Sequence, residues 1–491
     1  MTGPADELIA AGYALEIADA PLVHRGLTLA DLAHVLDLRT AKVVPEEPSR
    51  QLLKLLLDIL DVPAEEFPYD PAHGEIYNSR ERYFVGQIGD AAGWLHAGRP
   101  RREAMRIAFR LHLRDLLTDL IQTAAELAAE LARLAGQHNE TWMVDQTYLQ
   151  HAQPSTFGHY ALSFAYPVLR DGRRLTDALA WVDASPGGAG GVNGTALLTD
   201  RSHIAALLGF SSVIEHTRDA MWQTDGLIDS CGACASLLIT QAKLAEDLEI
   251  WASAEFGYVT VDDAYSRSSV LMPQKRNPYA LTMIRGASGV MIGRLSGLLA
   301  FNKSPSARSD NLIFAYGEVP RALAAAVRTT RLTTGVIRTL HVHPERLWSV
   351  LVGSFAQASD LAEYLLLSRK LDYRSAYHVV GHAVRTAAQQ GLRGVDLDPA
   401  ALDAAAVAVL GQPLGLDASS LARILDPREV VRSRTARGGA APTEVCRMAT
   451  ACAADATELG RQAQVRREHF QATEQGLIAA AQQAIAMASE L

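Results

Sequence analysis

The sequence predicts an all-α fold built around a bundle of long helices. Alanine and leucine dominate a chain of 491 residues, and both favour helix. Apolar side chains recur at intervals of three and four residues, the period of one helix face, over stretches too long for a strand. No segment shows the regular apolar–polar alternation expected for a set of strands. We therefore expect an all-α protein.

The first part of the chain, residues 1–103, is expected to form an N-terminal helical domain. Amphipathic runs at residues 27–38 and 48–60 are separated by loops that contain proline, aspartate and glycine. These runs are short, which is typical of a small domain packed against a larger one.

The central part, residues 104–355, carries the longest helical patterns. The first pattern begins at residue 101 and ends at residue 134 without an internal breaker. Its apolar face contains Phe109, Leu113, Leu116, Leu120, Ala124, Leu127, Leu131 and Leu134. Three further patterns follow at residues 227–248, 279–300 and 321–340, and Gln241 interrupts the apolar face of the first of these. Long helices with apolar faces must bury those faces against one another, which predicts a central bundle.

The length of these helices also predicts association between copies of the chain. A helix of about 30 residues spans roughly 45 Å, which is more than a compact domain requires. We therefore expect the bundle to be shared in a homo-oligomer. Beyond residue 355 the helical patterns shorten, and glycine and proline become frequent. Residues 356–491 are expected to form a small C-terminal helical domain.

The loop at residues 266–278 is the most informative segment, because it reads Ser-Ser-Val-Leu-Met-Pro-Gln-Lys-Arg-Asn-Pro from residue 268 onward. Its two prolines remove backbone donors, so we expect neither a strand nor a buried helix there. Pro278 is favoured at the start of the helix that follows. Lys275 supplies a positive charge and Asn277 a neutral donor beside a helix N-terminus, a combination suited to an anion.

This loop resembles the SSxMPxKxNP signature of the fumarase/aspartase superfamily, in its argininosuccinate lyase-like branch. The resemblance implies that Ser269 is the base that removes a proton from Cβ of the substrate. It also implies that Lys275 and Asn277 stabilise the anion that results, with Met272 as a further substrate contact. Val270 departs from the family pattern, which has a second serine at that position.

A second motif, at residues 147–159, resembles the family segment T-H-L-Q-x-A-Q-P-x-T-F-G-H. The resemblance implies that Thr147 and Gln150 hold a substrate carboxylate. Tyr148 stands where the family has a histidine that assists proton transfer. A phenol, with an ordinary pKa of about 10, is a poor base at neutral pH but a usable donor or acid. The alternative is that Tyr148 only packs.

A third motif, at residues 95–103, resembles L-H-T-G-R-S-R-N-D. Arg99 is retained, whereas Ala97, Arg102 and Glu103 replace threonine, asparagine and aspartate. Arg99 and Arg102 are candidate substrate-binding residues, since a guanidinium suits a carboxylate. The alternative is a solvated arginine run at the start of a helix.

One stretch separates this chain from argininosuccinate lyases, whose Y-N-[KR]-D-x-Q-E-D-K segment supplies three polar substrate contacts. If no gap intervenes, Phe301, Ser306 and Ser309 stand at those three positions, while Lys303 retains the basic residue and remains a candidate substrate contact. Leaving buried polar groups unpaired costs about 1–3 kcal/mol each. The substrate is therefore not expected to be argininosuccinate.

The resemblance covers residues 30–450 and implies three helical domains, with a central helix bundle in a homotetramer whose active sites combine three subunits. It implies no cofactor, and a small dicarboxylate as the substrate. The expected reaction is elimination of fumarate from an N-substituted aspartate. Three alternatives remain open: argininosuccinate lyase itself, another superfamily chemistry such as cycloisomerisation or adenylosuccinate cleavage, and a catalytically silent relative like the lens crystallins.

Composition limits the classes of binding partner and the cellular compartment that we expect. The net charge of −9 argues against nucleic acid or an anionic membrane as the main partner. No stretch of about 18 uncharged apolar residues predicts a membrane span, and we see no signal peptide. Four cysteines fit a reducing cytoplasm, which is the expected location. Cys231 and Cys234 fall on an apolar helix face, so we expect core residues and not a metal or redox pair.

Overall fold

The computed structural model describes residues 3–306 and 312–487. Of the described residues, 71% are helical, which confirms the all-α class. Within the described ranges, no helix combines the length and the apolar character that crossing a bilayer would require.

The helices are numbered in chain order. They are α1 Asp6–Leu8, α2 Ala14–Ala18, α3 Ala20–Thr40, α4 Glu46–Ile59, α5 Ile76–Ile88, α6 Arg101–Gln137, α7 Phe157–Val182, α8 Arg201–Leu207, α9 Thr217–Ala220, α10 Asp225–Trp251, α11 Tyr279–Asn302, α12 Ile313–Thr339, α13 Pro344–Val352, α14 Ala358–Arg369, α15 Tyr373–Gln389, α16 Pro399–Leu410, α17 Ala418–Leu425, α18 Pro427–Arg432 and α19 Pro442–Met487.

Short strands lie between these helices, and each strand pairs with one other strand. They are β1 Trp142–Thr147, β2 Gln150–Thr156, β3 Ala184–Ser185, β4 Ser212–Val213, β5 Val259–Thr260, β6 Arg267–Ser268, β7 Arg276–Asn277 and β8 His341–Val342. The pairs β1–β2, β5–β8 and β6–β7 are antiparallel, and β3–β4 is parallel. These strands could not be predicted from the sequence, because six of the eight contain two residues each, too few to show an alternating pattern.

Five helices, α6, α7, α10, α11 and α12, form the predicted bundle and share one apolar core. The four long helical patterns are confirmed, with ends that differ from the expected ones by up to eight residues. Gln241, the expected polar interruption, is buried in this core. Its side chain donates to Thr330 Oγ1 at 2.9 Å and accepts from Thr333 Oγ1 at 2.7 Å, so α10 and α12 are joined by a satisfied polar contact.

The two cysteines on α10 are core residues, as predicted. Cys231 and Cys234 are free and buried. Burial raises the pKa of the Cys231 thiol to about 12, which suppresses the reactive thiolate.

The two ends of the bundle carry different connections. At one end, α6 finishes beside the start of α7, where Gly158 N donates to His138 O at 3.0 Å. The last residue of α10, Trp251, packs on Tyr160 of α7 with ring centroids 4.4 Å apart. The β1–β2 hairpin and the loop before α11 leave from here, so we call it the hairpin end.

At the other end, the start of α6 meets the end of α7 and the starts of α10 and α12. Arg110 donates to the carbonyl of Trp181 at 2.6 Å, and Phe109 packs edge-on against Tyr316 with centroids 5.0 Å apart. We call this the cleft end, after the cleft described below. Since α6 has 37 residues, the two ends are about 55 Å apart.

The parts outside the bundle have cores of their own. Helices α3, α4 and α5 bury apolar side chains with the start of α6 and the end of α19. Residues 361–425 enclose a separate apolar cluster. The final helix, α19, has 46 residues and packs along α6, with Val445, Cys452 and Phe470 in the bundle core. The division at residues 103 and 355 stays a prediction.

Candidate active site

The signature loop is closed by backbone pairing at its base. Arg267 pairs with Asn277 and Ser268 with Arg276, and Ser269 N donates to Lys275 O at 3.2 Å. The expectation that residues 266–278 contain no strand is therefore wrong, because both prolines lie outside the paired positions. The Asn277 side chain donates to Arg267 O at 3.0 Å, which fixes the base of the loop.

The hydroxyl of Ser269 sits in a nest of backbone donors. Its Oγ accepts hydrogen bonds from the N–H groups of Met272 at 3.0 Å and Leu271 at 3.3 Å. Donors aimed at one oxygen stabilise negative charge on it, so the loop favours an alkoxide at Ser269. Lys275 is exposed, and Val270 at the apex is fully exposed. The loop thus presents a hydroxyl, at Ser269, and a cation, at Lys275, on one exposed segment.

The second motif forms the β1–β2 hairpin and is not a helix. Thr147 pairs with Gln150, and the two-residue turn between them is Tyr148–Leu149. Both turn residues are left-handed, with φ of 55° and 57°, a conformation that costs an L residue roughly 1–2 kcal/mol. Tyr148 is 99% exposed, which excludes packing inside this chain. Strain and exposure at one tip favour a role toward another molecule.

The third motif places Arg99 in the interior. Its side chain is 1% exposed and pairs with Asp31, which also pairs with Arg80 at 3.0 Å. Arg99 further donates to Ala30 O at 3.0 Å and to the Tyr77 hydroxyl at 2.9 Å. These contacts fix the loop that precedes α6. The expected substrate contact at Arg99 stays a prediction.

Arg101, which the sequence reasoning passed over, is the exposed cation of this motif. Its side chain is 45% exposed and lies 2.9 Å from Glu75, which also pairs with Arg102 at 3.2 Å. Arg102 is partly exposed and stays a candidate. Pro100 is the N-cap residue of α6, so Arg101 is the first residue of the helix.

A shallow cleft lies beside Arg101. It is lined by Glu81, His96, Gly98, Arg99, Pro100, Arg101, Gly190, Gly194 and Thr195. The third motif and the glycine-rich loop at residues 185–195 thus face each other across one surface.

Glu103 holds the two walls of this cleft together. Its carboxylate accepts from Gly188 N and Gly190 N, both at 2.7 Å, and it is buried. Burial raises the pKa of this carboxyl, against the lowering effect of the two N–H donors. Gly188 and Gly190 have φ of 75° and 58°, which favours glycine at both positions.

The segment after α11 also lies at the cleft end. Lys303 caps the end of α11 and is exposed. Ser306 Oγ accepts from Arg218 Nη2 at 3.1 Å, and no motif in the sequence had pointed to Arg218. Ser309, the third substituted position, lies outside the described residues.

One chain does not bring all the predicted site residues together. Ser269, Met272, Lys275 and Asn277 share the signature loop, and Thr147, Tyr148 and Gln150 share the hairpin tip; both lie at the hairpin end. Arg102 and Lys303 lie at the cleft end, about 55 Å away along α6. Among the described residues, no group of three or more His, Cys, Asp or Glu side chains is arranged to hold a metal ion.

Comparison with known proteins identifies the family. The lyase family matches residues 28–293, and the argininosuccinate lyase C-terminal family matches residues 355–432. Argininosuccinate lyase of Methanoculleus marisnigri is 33% identical over 86% of this chain and 85% of its own length. The enzyme of Methanothermobacter thermautotrophicus is 31% identical over 84% and 89%. The chain belongs to the fumarase/aspartase superfamily, in its argininosuccinate lyase-like branch.

Solved structures of superfamily members agree with this assignment. An EDDS lyase variant with bound fumarate is 25% identical, with a TM-score of 0.89 over 100% of this chain and 97% of that chain. The 3-carboxy-cis,cis-muconate lactonizing enzyme of Pseudomonas putida, at 19% identity and a TM-score of 0.70, shares the fold. As an argininosuccinate lyase-like member of the superfamily, the protein is a carbon–nitrogen lyase.

Proposed function

We propose that this lyase eliminates fumarate from an N-substituted aspartate, or adds an amine to fumarate in the reverse direction. The observation that carries the proposal is Ser269, held with two backbone donors on its Oγ in an exposed loop beside Lys275. The likeness to EDDS lyase over the whole chain supports a substrate other than argininosuccinate.

In this reaction Ser269, as its alkoxide, takes the proton from Cβ of the aspartate moiety and becomes a hydroxyl. The electron pair of that C–H bond passes into the adjacent carboxylate, which becomes a dianionic aci-carboxylate. Lys275, Asn277 and the start of α11 stabilise this charge, and removing one such donor typically costs roughly 10²–10³ in rate. The electrons then form the C=C bond as the C–N bond breaks. The departing nitrogen takes a proton from Tyr148 or from water.

The site is completed in our proposal by other copies of the chain, as a homotetramer. Its two halves lie at opposite ends of one bundle, so a second copy must bring a hairpin end to a cleft end. Helix α11 supports such packing, because its outer face exposes Met283, Val290, Ile292 and Leu299. Gly286, Gly289, Gly293 and Gly297 on the same helix face open space in one chain. A neighbouring helix fits this apolar, small-residue surface.

Argininosuccinate lyase itself is the second candidate, because the relatives above carry that activity in their names. Phe301 and Ser306 oppose it, since they lack the polar groups that the resemblance places there. The two candidates are separated by the ultraviolet absorbance of released fumarate. We expect release from simple N-alkyl aspartates and none from argininosuccinate. Release from argininosuccinate alone contradicts the proposal, and no release from any succinylated amine favours a silent structural relative.

A further inference from the structure

We infer that the protein has a second small-molecule site, which binds an aliphatic primary amine in a cavity between α3, α6, α8 and α19. The cavity has a volume of about 490 Å³. Among the described residues, its lining contains none of those predicted for the active site. Asp115, at its centre, lies roughly 20 Å along α6 from Arg101 at the cleft end and farther from the hairpin end. The inference therefore does not depend on the proposed function.

Two close contacts fix the walls of this cavity. Gly26 of α3 lies against α6, where a Cβ added to the glycine would come within 2.9 Å of Ala108 Cα. Gly209, which follows α8, lies against α19, where an added Cβ would come within 2.9 Å of the Thr473 side chain. The buried apolar lining includes Leu29, Leu111, Leu208 and Phe470. The cavity is therefore pre-formed in the chain, and its walls suit an alkyl group.

Helices α6 and α19 run antiparallel along one side of the cavity. Arg467 of α19 donates to Asp119 of α6 at 2.6 Å. Farther along α19, the Phe470 ring lies under the Arg114 guanidinium, 3.8 Å from its Cζ. Residue numbers thus rise along α19 while they fall along α6. In such a pair, side chains four residues apart on each helix meet at successive levels.

The level next to the Asp119–Arg467 pair lacks a cation. Asp115 lies four residues before Asp119, and Gln471 lies four residues after Arg467. The register therefore places Asp115 opposite Gln471, and both line the cavity. An amide carries no charge, so it does not compensate the carboxylate as Arg467 does one turn away.

The other charges around the cavity compensate one another. Four arginines and four carboxylates, counting the lining residues and their partners, form ion pairs there: Arg25, Arg114, Arg466 and Arg467 with Asp61, Asp119, Asp183 and Glu474. Burial lowers the pKa of His112, so its ring is neutral at pH 7. The Asp115 side chain forms no hydrogen bond or ion pair within residues 3–306 and 312–487. It carries the uncompensated charge of the cavity.

The surroundings of Asp115 favour the arrival of a cation. Its side chain is accessible from the cavity, but the protein around it limits its contact with bulk water. This burial raises the pKa of the Asp115 carboxyl to about 6, although the Arg114 charge opposes the rise. The negative charges of Glu474 and Asp119 act in the same direction as burial. Above pH 7 the group is therefore an ionised carboxylate that a bound cation stabilises.

An alkylammonium matches the polar groups that the cavity leaves unpaired. It offers three N–H donors on one nitrogen. Three side chains in the lining can accept them: the Asp115 carboxylate, one ring nitrogen of His112 and the Gln471 carbonyl. In the described part of the chain, none of these three side chains has a hydrogen-bond partner. A neutral or anionic ligand would leave the Asp115 charge uncompensated.

The test is a titration of the full chain with three ligands of the same length, followed by the NMR line widths of the ligand at mildly alkaline pH. n-Pentylamine is the cation, 1-pentanol its neutral counterpart and pentanoate its anionic counterpart. We expect the affinity for pentylamine to exceed that for pentanol by about tenfold to a hundredfold, the value of a charge-assisted hydrogen bond. Pentanoate is expected to bind most weakly.

Two variants assign the binding to the cavity. Asp115→Asn keeps the shape of the side chain and removes its charge, so the pentylamine affinity should fall to that of pentanol. Gln471→Arg places a guanidinium opposite Asp115, so it should abolish pentylamine binding and raise the unfolding midpoint. The matched control is Asp455→Asn, an exposed carboxylate of α19 that pairs with Arg173 outside the cavity. It should bind pentylamine like wild type.

Equal affinity for pentylamine and pentanol in the wild type would overturn the inference. Pentylamine binding that both Asp115→Asn and Gln471→Arg preserve would place the amine elsewhere and overturn it too. Because binding is measured without turnover, a lyase that releases no fumarate would overturn the proposed function and leave this result intact.

Discussion

Ser269 Oγ accepts a hydrogen bond from the backbone N–H of Met272 at 3.0 Å. This contact lies inside the signature loop and depends on the loop conformation alone. A second N–H, from Leu271, adds to it at 3.3 Å. The donors that favour an alkoxide at Ser269 are thus backbone groups, as in an oxyanion hole. The activity of the serine should therefore depend on how the loop is folded when the substrate is bound.

Replacing Glu103 by glutamine should loosen the cleft. The amide can accept from only one of the two N–H groups of Gly188 and Gly190, and its own NH₂ faces the other. A buried donor left unpaired costs about 1–3 kcal/mol, so the free energy of unfolding should fall by that amount. Chemical denaturation measures it. Glu458→Gln, on the exposed face of α19, is the control and should leave the unfolding midpoint unchanged. Equal unfolding midpoints for both variants would contradict the proposed role of Glu103 in holding the two walls of the cleft together.

Placing a leucine at Gly289 should separate the copies without unfolding the chain. A Cβ at this position meets nothing within 4 Å in one chain, so the substitution is tolerated there. In the proposed assembly a neighbouring helix fills that space, and overpacking would drive dissociation. Static light scattering of Gly289→Leu should show a smaller species than wild type. Gly476→Leu, at an exposed and equally open glycine of α19, is the matched control. A clean monomer for the wild type would end the oligomeric account.

The stability of the fold should fall in mild acid because of His24. Burial, with the Arg80 charge nearby, lowers the pKa of His24 from 6.5 to about 4. Since the folded pKa is depressed, the unfolded chain binds a proton first as the pH falls below 6.5. His24 thus stabilises the fold above pH 6.5, and this contribution of about 1–3 kcal/mol is lost between pH 6.5 and about 4.

The measurement is the free energy of unfolding at the two ends of that range, for wild type and His24→Gln. Other groups titrate there too: burial raises the pKa of Asp115 to about 6, which has the opposite sign. The difference between the two proteins isolates His24. An identical pH dependence in both would show that the imidazole is free to protonate in the folded state.

The long helices could be predicted because their apolar faces repeat over six or more turns, as in α6. The signature loop could be predicted because its combination of residue types is typical of few other kinds of site. The hairpin at residues 142–156 could not, because its turn uses Tyr148 and Leu149 in a conformation that normally calls for asparagine or glycine. A turn of this kind cannot be recognised from the residue types in the sequence.

The burial of Arg99 in the third motif could not be predicted from the sequence, for a physical reason. Arginine is mostly exposed in proteins, so Arg99 read as a surface cation. Its burial depends on Asp31 and Tyr77, which lie 68 and 22 residues away in sequence. Arg218 sits in a segment without periodicity, and its position beside Ser306 follows only from the folded chain. Contacts between such distant residues are set by packing and not by local pattern.

The central claim is that Ser269, as its alkoxide, removes the Cβ proton. It is tested by fumarate release from Ser269→Ala, assayed with a succinylated amine that the wild type cleaves. We predict that turnover is abolished while circular dichroism and light scattering stay at wild-type values, and that Ser268→Ala, one residue earlier in the same loop, stays within tenfold of wild type. Activity of Ser269→Ala within tenfold of wild type would contradict the claim.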